Sequence, residues 1–104
     1  MSFNKWAFIY LGEGTENPAV DRAVIKTGGL TTTIVAVPDP AAAVQVASEL
    51  VDGGAQSIEL CGGLGPGVVT DVVAATDGKV PVGGVNYGVE SIHALAALFP
   101  RSDD

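Results

Sequence analysis

The sequence predicts an α/β domain of four repeated βα units arranged as one parallel sheet. Three observations predict it. Apolar, strand-like runs recur at Lys5–Leu11, Leu30–Val37, 56–61 and 79–85, with starts spaced by roughly 25 residues, the scale of one strand–helix unit. Each run is followed by helix punctuation: a capping residue or proline at the start, glycine or proline at the stop. Strands that alternate with helices pair in parallel, because the crossover helix returns the chain to the same end of the sheet.

The elements follow in order. After the first strand, Asn17 caps and Pro18 opens a short helix over 19–26, which stops at Gly28-Gly29. After the second, Asp39 is a natural N-cap with Pro40 at the first helical position, and the helix runs over 41–51 to Gly53-Gly54. Pro66 starts a third helix through Val68, Val69, Val72 and Val73, which ends near Gly78. The last helix, over 89–99, sets Ile92, Leu95, Ala96 and Phe99 on one stripe, and Pro100 stops it. Two architectures fit these units. One is an open sheet of flavodoxin type, covered on both faces. The other is half of an eight-unit barrel whose edges a second copy would close. The open or strongly curved sheet is preferred, with dimerisation expected in either case.

Composition bounds the function. The 104 residues make one domain, 1–104, with 47% apolar residues and 14 glycines. A chain of this size buries roughly 60–70% of the surface its unfolded form exposes. Twelve acidic residues against five scattered basic ones give a net charge of −7. A nucleic-acid surface needs clustered Lys and Arg to displace counterions, so no nucleic acid is expected as a partner. An anionic membrane would repel the chain, and no apolar run approaches the ~20 residues that span a bilayer. Residues 1–6 lack the cationic start and hydrophobic stretch of a signal peptide. The single cysteine forms no internal disulfide, which fits a reducing compartment, and a cytoplasmic location is expected.

In a parallel sheet, ligands sit beyond the carboxyl ends of the strands. At that end lies Ile58-Glu59-Leu60-Cys61-Gly62-Gly63-Leu64-Gly65-Pro66-Gly67. A buried parallel strand reads as continuously apolar, yet here one face carries Ser57, Glu59 and Cys61. Burial of Glu59 would raise its pKa and suit it to acid–base work; the plainer alternative is a structural carboxylate bonded to loop amides. Cys61, before a helix N-terminus, is a candidate nucleophile or a wall of the pocket. The amides of Gly62, Gly63 and Gly65 can hold an oxyanion. The loop misses the dinucleotide fingerprint, because Val68 stands where the third glycine would be, and it lacks the Lys-Ser/Thr of a P-loop. At the end of the fourth strand, Asn86 and Tyr87 offer a bonding amide and a flat ring with a hydroxyl.

Lesser candidates complete the ring. Thr31-Thr32-Thr33 opens its strand at the far end, so strand propensity accounts for it. Tyr10, Glu13 and Glu16 come at the ligand end of the first strand, where "GEGTEN" reads as a solvated loop. The sole histidine, His93, sits early in the last helix, and its reach to Cys61 is open. One His and one Cys build no zinc site, and a Mg²⁺ site would need Glu13, Asp39 and Glu59 to converge. No metal or cofactor is expected.

The segments "AFIYL", "IELCGG" and "KVPVG" carry a resemblance. The chain resembles a small bacterial family of about a hundred residues, known as a domain of unknown function. The resemblance implies a compact α/β domain and supplies no catalytic residues. The expected function is binding or transforming a small anionic or carbonyl-bearing metabolite, with Glu59 as acid/base or anchor and Cys61 lining the site. Proton transfer next to a carbonyl (isomerase or lyase chemistry) or hydrolysis suits these residues better than redox chemistry. The competing expectation is a non-catalytic sensor or homo-oligomeric assembly module.

Overall fold

Burial along the first strand sets the frame. In β1 (Lys5–Leu11), Ala7 and Ile9 are buried, Trp6 and Phe8 are half-buried and Tyr10 is exposed. One face of the sheet is therefore covered and the other is not, as strand alternation requires. The computed structural model describes residues 2–100. It places a hairpin strand β2 (Arg22–Thr27) and β3 (Leu30–Val37) before helix α1 (Pro40–Asp52). There follow β4 (Ile58–Leu60), α2 (Pro66–Ala75), β5 (Val82–Gly84), a 3₁₀ turn at Val89–Ser91 and α3 (Ile92–Leu98). The sheet order is β2-β3-β1-β4-β5. β1 pairs in parallel with β3 and β4, and β4 with β5, while β2 runs antiparallel to β3.

The first unit departs from the predicted repeat. The segment expected as a helix over 19–26 is mostly β2, so among the described residues three α-helices, not four, accompany the sheet. The physical reason lies in Arg22-Ala23-Val24-Ile25-Lys26-Thr27, where β-branched residues favour a pleated surface. Thr27 pairs with Leu30 across Gly28-Gly29, a two-residue hairpin turn that needs positive φ, and Gly28 has φ +50°. Asn17 caps a turn rather than a helix: its Oδ1 accepts from the Ala19 N–H at 3.1 Å.

α1 follows its sequence signals closely. Asp39 Oδ1 accepts from the Ala42 N–H at 2.8 Å, and Pro40 occupies the first turn. Ala43, Val46 and Ala47 of α1 pack with Val68 and Val72 of α2 over Ile9, Val35 and Leu60 of the sheet. Both helices thus cover the same face, and each fully buried Val contributes about 1.5–3 kcal/mol. α2 ends where Thr76 Oγ1 donates to the Val72 carbonyl at 2.8 Å. α3, by contrast, buries none of its residues. β4 and β5 are shorter than the predicted runs, and Pro81 just before β5 lacks the N–H to extend the ladder. Among the described residues, no helix is long and apolar enough to cross a membrane.

Candidate functional site

The carboxyl ends of β1 and β4 meet the glycine loop and α3 in one cavity of about 550 Å³. Its floor is Leu11, Cys61, Gly62 and Gly63; Tyr10, Tyr87, Leu95 and Phe99 form the walls. Local structure explains the floor. The Cys61 N–H donates to the Ile9 carbonyl at 3.0 Å, which ends β4 against β1. The Leu64 N–H then turns back to the Cys61 carbonyl at 3.1 Å. Between them, no acceptor among the described residues takes the N–H of Gly62 or Gly63.

Cys61 is half-buried. The Leu11 N–H donates to its Sγ at 3.2 Å, so the sulfur accepts from the backbone of β1 while bordering the cavity. Glycine at position 62 is a matter of close approach. A Cβ there would stand 3.3 Å from the Val85 carbonyl oxygen and 3.4 Å from the Tyr87 ring. Tyr87 therefore lies against the loop backbone with most of its ring in solvent. Gly65, with φ +81°, hands the chain to Pro66 at the start of α2. Gly65 and Asn86 border a neighbouring cavity of about 220 Å³, which shares Cys61 and Gly62 with the first.

The predicted residues therefore divide. Cys61, Gly62, Gly63 and Tyr87 converge on the larger cavity, and Gly65 and Asn86 on its neighbour. Glu59 lies elsewhere. Its partner across the ladder is Phe8, on the face that α1 and α2 leave bare, and its side chain is exposed. Burial had been the ground for giving Glu59 acid–base duty, and an exposed carboxylate loses that ground. It borders a separate depression with Ser57, Pro81 and Gly83. His93 is exposed on α3 and is not among the residues that line the cavity.

Of the wall residues, Leu95 and Phe99 escaped the sequence reading. Tyr10, at the carboxyl end of β1, is one of the lesser candidates, just ahead of the loop at 12–17. That loop is ordered by Glu16, whose carboxylate accepts from the Glu13 and Gly14 N–H groups at 2.7 and 2.9 Å. These backbone hydrogen bonds hold its pKa below the ordinary value. Leu95 and Phe99 stand on the apolar stripe of the last helix, which carries no site reading in the sequence. Among the described residues, no three His, Cys, Asp or Glu side chains lie close enough together to hold a metal ion.

A largely parallel α/β sheet with a cavity beyond its strand ends defines the class: a small α/β domain with a ligand-sized hollow at one end. Within that class, the chain belongs to a family of unknown function, DUF6506, whose model matches residues 4–100. No curated protein and no solved structure matches it.

Proposed function

We propose that this chain binds a small, largely apolar metabolite carrying one carbonyl or carboxylate group. The site is the cavity at the carboxyl ends of β1 and β4. The observation that carries the reading is the pairing of free Gly62 and Gly63 amides with walls of Tyr10, Leu95 and Phe99. An apolar hollow with a few convergent polar groups is the usual form of a small-molecule site, and about 550 Å³ falls within the 300–1,000 Å³ typical of one. The two amides would take the ligand's oxygen, and the rings and leucines its hydrocarbon part. On this reading the domain is a flavodoxin-type sheet in which a hairpin strand replaces the first crossover helix, with its ligand where open parallel sheets hold theirs.

Binding accounts for the cavity better than turnover does. Among the described residues, its lining offers no carboxylate and no imidazole, and the titratable groups that border it are Cys61, Tyr10 and Tyr87. Isomerase, lyase or hydrolase chemistry through Glu59 would need that side chain inside. The test is ligand-detected NMR with a panel of medium-chain carboxylates, the matching methyl ketones and the matching alkanols. The carboxylates or ketones should bind. Gly62→Val, which pushes a side chain toward the Tyr87 ring, should weaken binding by at least about tenfold, while Glu59→Gln leaves it unchanged. Full binding in Gly62→Val, or loss of binding in Glu59→Gln, would overturn the reading.

A further inference from the structure

We infer that the bare face of the sheet and the α3 arm together form the interface of a symmetric dimer of this chain. The inference stands independently of the ligand. α1 and α2 cover only the face carrying Ile9, Val35 and Leu60. By strand alternation the opposite face presents Trp6, Phe8, Tyr10, Ile34 and Ile25. Trp6, Phe8 and Ile34 are only half-buried, while Tyr10 and Ile25 are 40% and 48% exposed. The hairpin strand β2 is the cause, since it occupies the length of chain that a crossover helix would have used to cover this face. α3 is the complementary excess: Ile92, Leu98 and Phe99 are 56%, 69% and 72% exposed, and no residue of the helix is buried. Tyr10 joins the two surfaces, because it stands on the bare face and also borders Leu95 and Phe99.

The areas say what covers this surface. With ~150–250 Å² for a whole aromatic side chain, the rings of Tyr10 and Phe99 leave roughly 220 Å² in solvent, and Ile25, Ile92 and Leu98 bring the apolar total to about 480 Å². One side of a standard interface needs ~800 Å², of which roughly 500 Å² is apolar. The chain as a whole agrees. It exposes 6641 Å², where a folded monomer of its mass should expose about 5,400 Å². Setting aside about 800 Å² for the five residues outside the described range still leaves an excess of roughly 440 Å².

The partner is a second copy for two reasons. The flat face and the projecting helix lie side by side on one chain, so a two-fold axis lets each copy's arm meet the other's sheet. The chain carries −7 overall, yet the only charged side chain that β1, β3 and β4 present on this face is Glu59. Like-charged copies can approach through such a nearly neutral surface, whereas a basic partner would find little there to recognise.

Sedimentation equilibrium over a range of concentrations tests this, read together with Trp6 fluorescence. Trp6 is the only tryptophan, and it lies on the face in question. The mass should be twice 10.5 kDa, falling to the monomer on dilution with a red shift of Trp6 emission. Ile25→Glu and Leu98→Glu change exposed side chains, so helical circular dichroism should persist while the dimer dissociates at least about tenfold more readily. Val73→Glu, exposed on the outer side of α2, should leave it intact. A wild-type monomer at every concentration would hand the face to some other partner and overturn the inference. So would a dimer that survives both substitutions, or one that dissociates with no change in Trp6 emission.

Discussion

Replacing Cys61 by alanine and by serine separates a bonded sulfur from a space-filling one. Sγ accepts the Leu11 N–H at 3.2 Å and packs half-buried against the core. Alanine removes the acceptor and leaves a partly buried amide without a partner, which costs about 1 kcal/mol. Loss of the half-buried sulfur adds roughly 0.5 kcal/mol. The sum, about 1.5 kcal/mol, lowers the melting temperature by roughly 6–12 °C at 4–8 °C per kcal/mol for a domain of this size. Serine keeps an acceptor at the same place and loses only the sulfur's apolar area, so its cost is about 0.5–1 kcal/mol. Thermal melts followed by circular dichroism, at one fixed protein concentration, measure both. The expected order of stability is Cys, then Ser, then Ala. If the sulfur were only a small hydrophobe, serine would bury a hydroxyl for nothing and rank last. Alanine more stable than serine would refute the role given to the Leu11 hydrogen bond.

Further outcomes follow from single contacts. Asp39→Ala removes the Oδ1 cap of α1 and should cost about 1 kcal/mol in urea unfolding, with Asp39→Asn recovering most of it. Gly84→Ala places a Cβ 3.0 Å from Val69 Cγ2 and should destabilise by about 1–3 kcal/mol through overpacking. Gly83→Ala, one residue away with open space around it, should be close to neutral, and equal effects at 83 and 84 would contradict the packing. Glu16 should titrate below its ordinary value of 4.5, because the charged form accepts the Glu13 and Gly14 amides. A depressed folded pKa means that its stabilisation is present above the ordinary value and is lost as pH falls through the folded one. The amide resonances of Glu13 and Gly14 should follow the same midpoint, and a midpoint at or above 4.5 would contradict the hydrogen bonds.

The strands most legible in the sequence were those that the core makes continuous. Lys5–Leu11 and Leu30–Val37 have the predicted bounds because one face is packed and both ladders are long. α1 was legible because Asp39 and Pro40 specify its start by local chemistry alone. The hairpin was misread because Gly28-Gly29 stops a helix as well as it turns a strand, and only the pairing with Leu30–Val37 decides between them. The same error concealed the bare sheet face, and with it the exposure of Glu59. A strand covered on both sides, as four crossovers would make it, would have buried that carboxylate. Cys61, Gly62, Gly63 and Tyr87 border one cavity because the carboxyl ends of parallel strands meet at one place whatever covers their faces. Leu95 and Phe99 border it too, which the sequence does not show, since an apolar stripe on a helix looks the same in a core and in a cavity wall.

A crystal structure of the protein soaked with a medium-chain carboxylate or methyl ketone tests the binding proposal most directly. The account predicts density running from the Gly62 and Gly63 amides, with the ligand oxygen within hydrogen-bond distance of them, to a hydrocarbon end between Leu95 and Phe99. Density in the depression beside Glu59 instead, or Tyr87 and Phe99 collapsed into the hollow with no ligand bound, would contradict it.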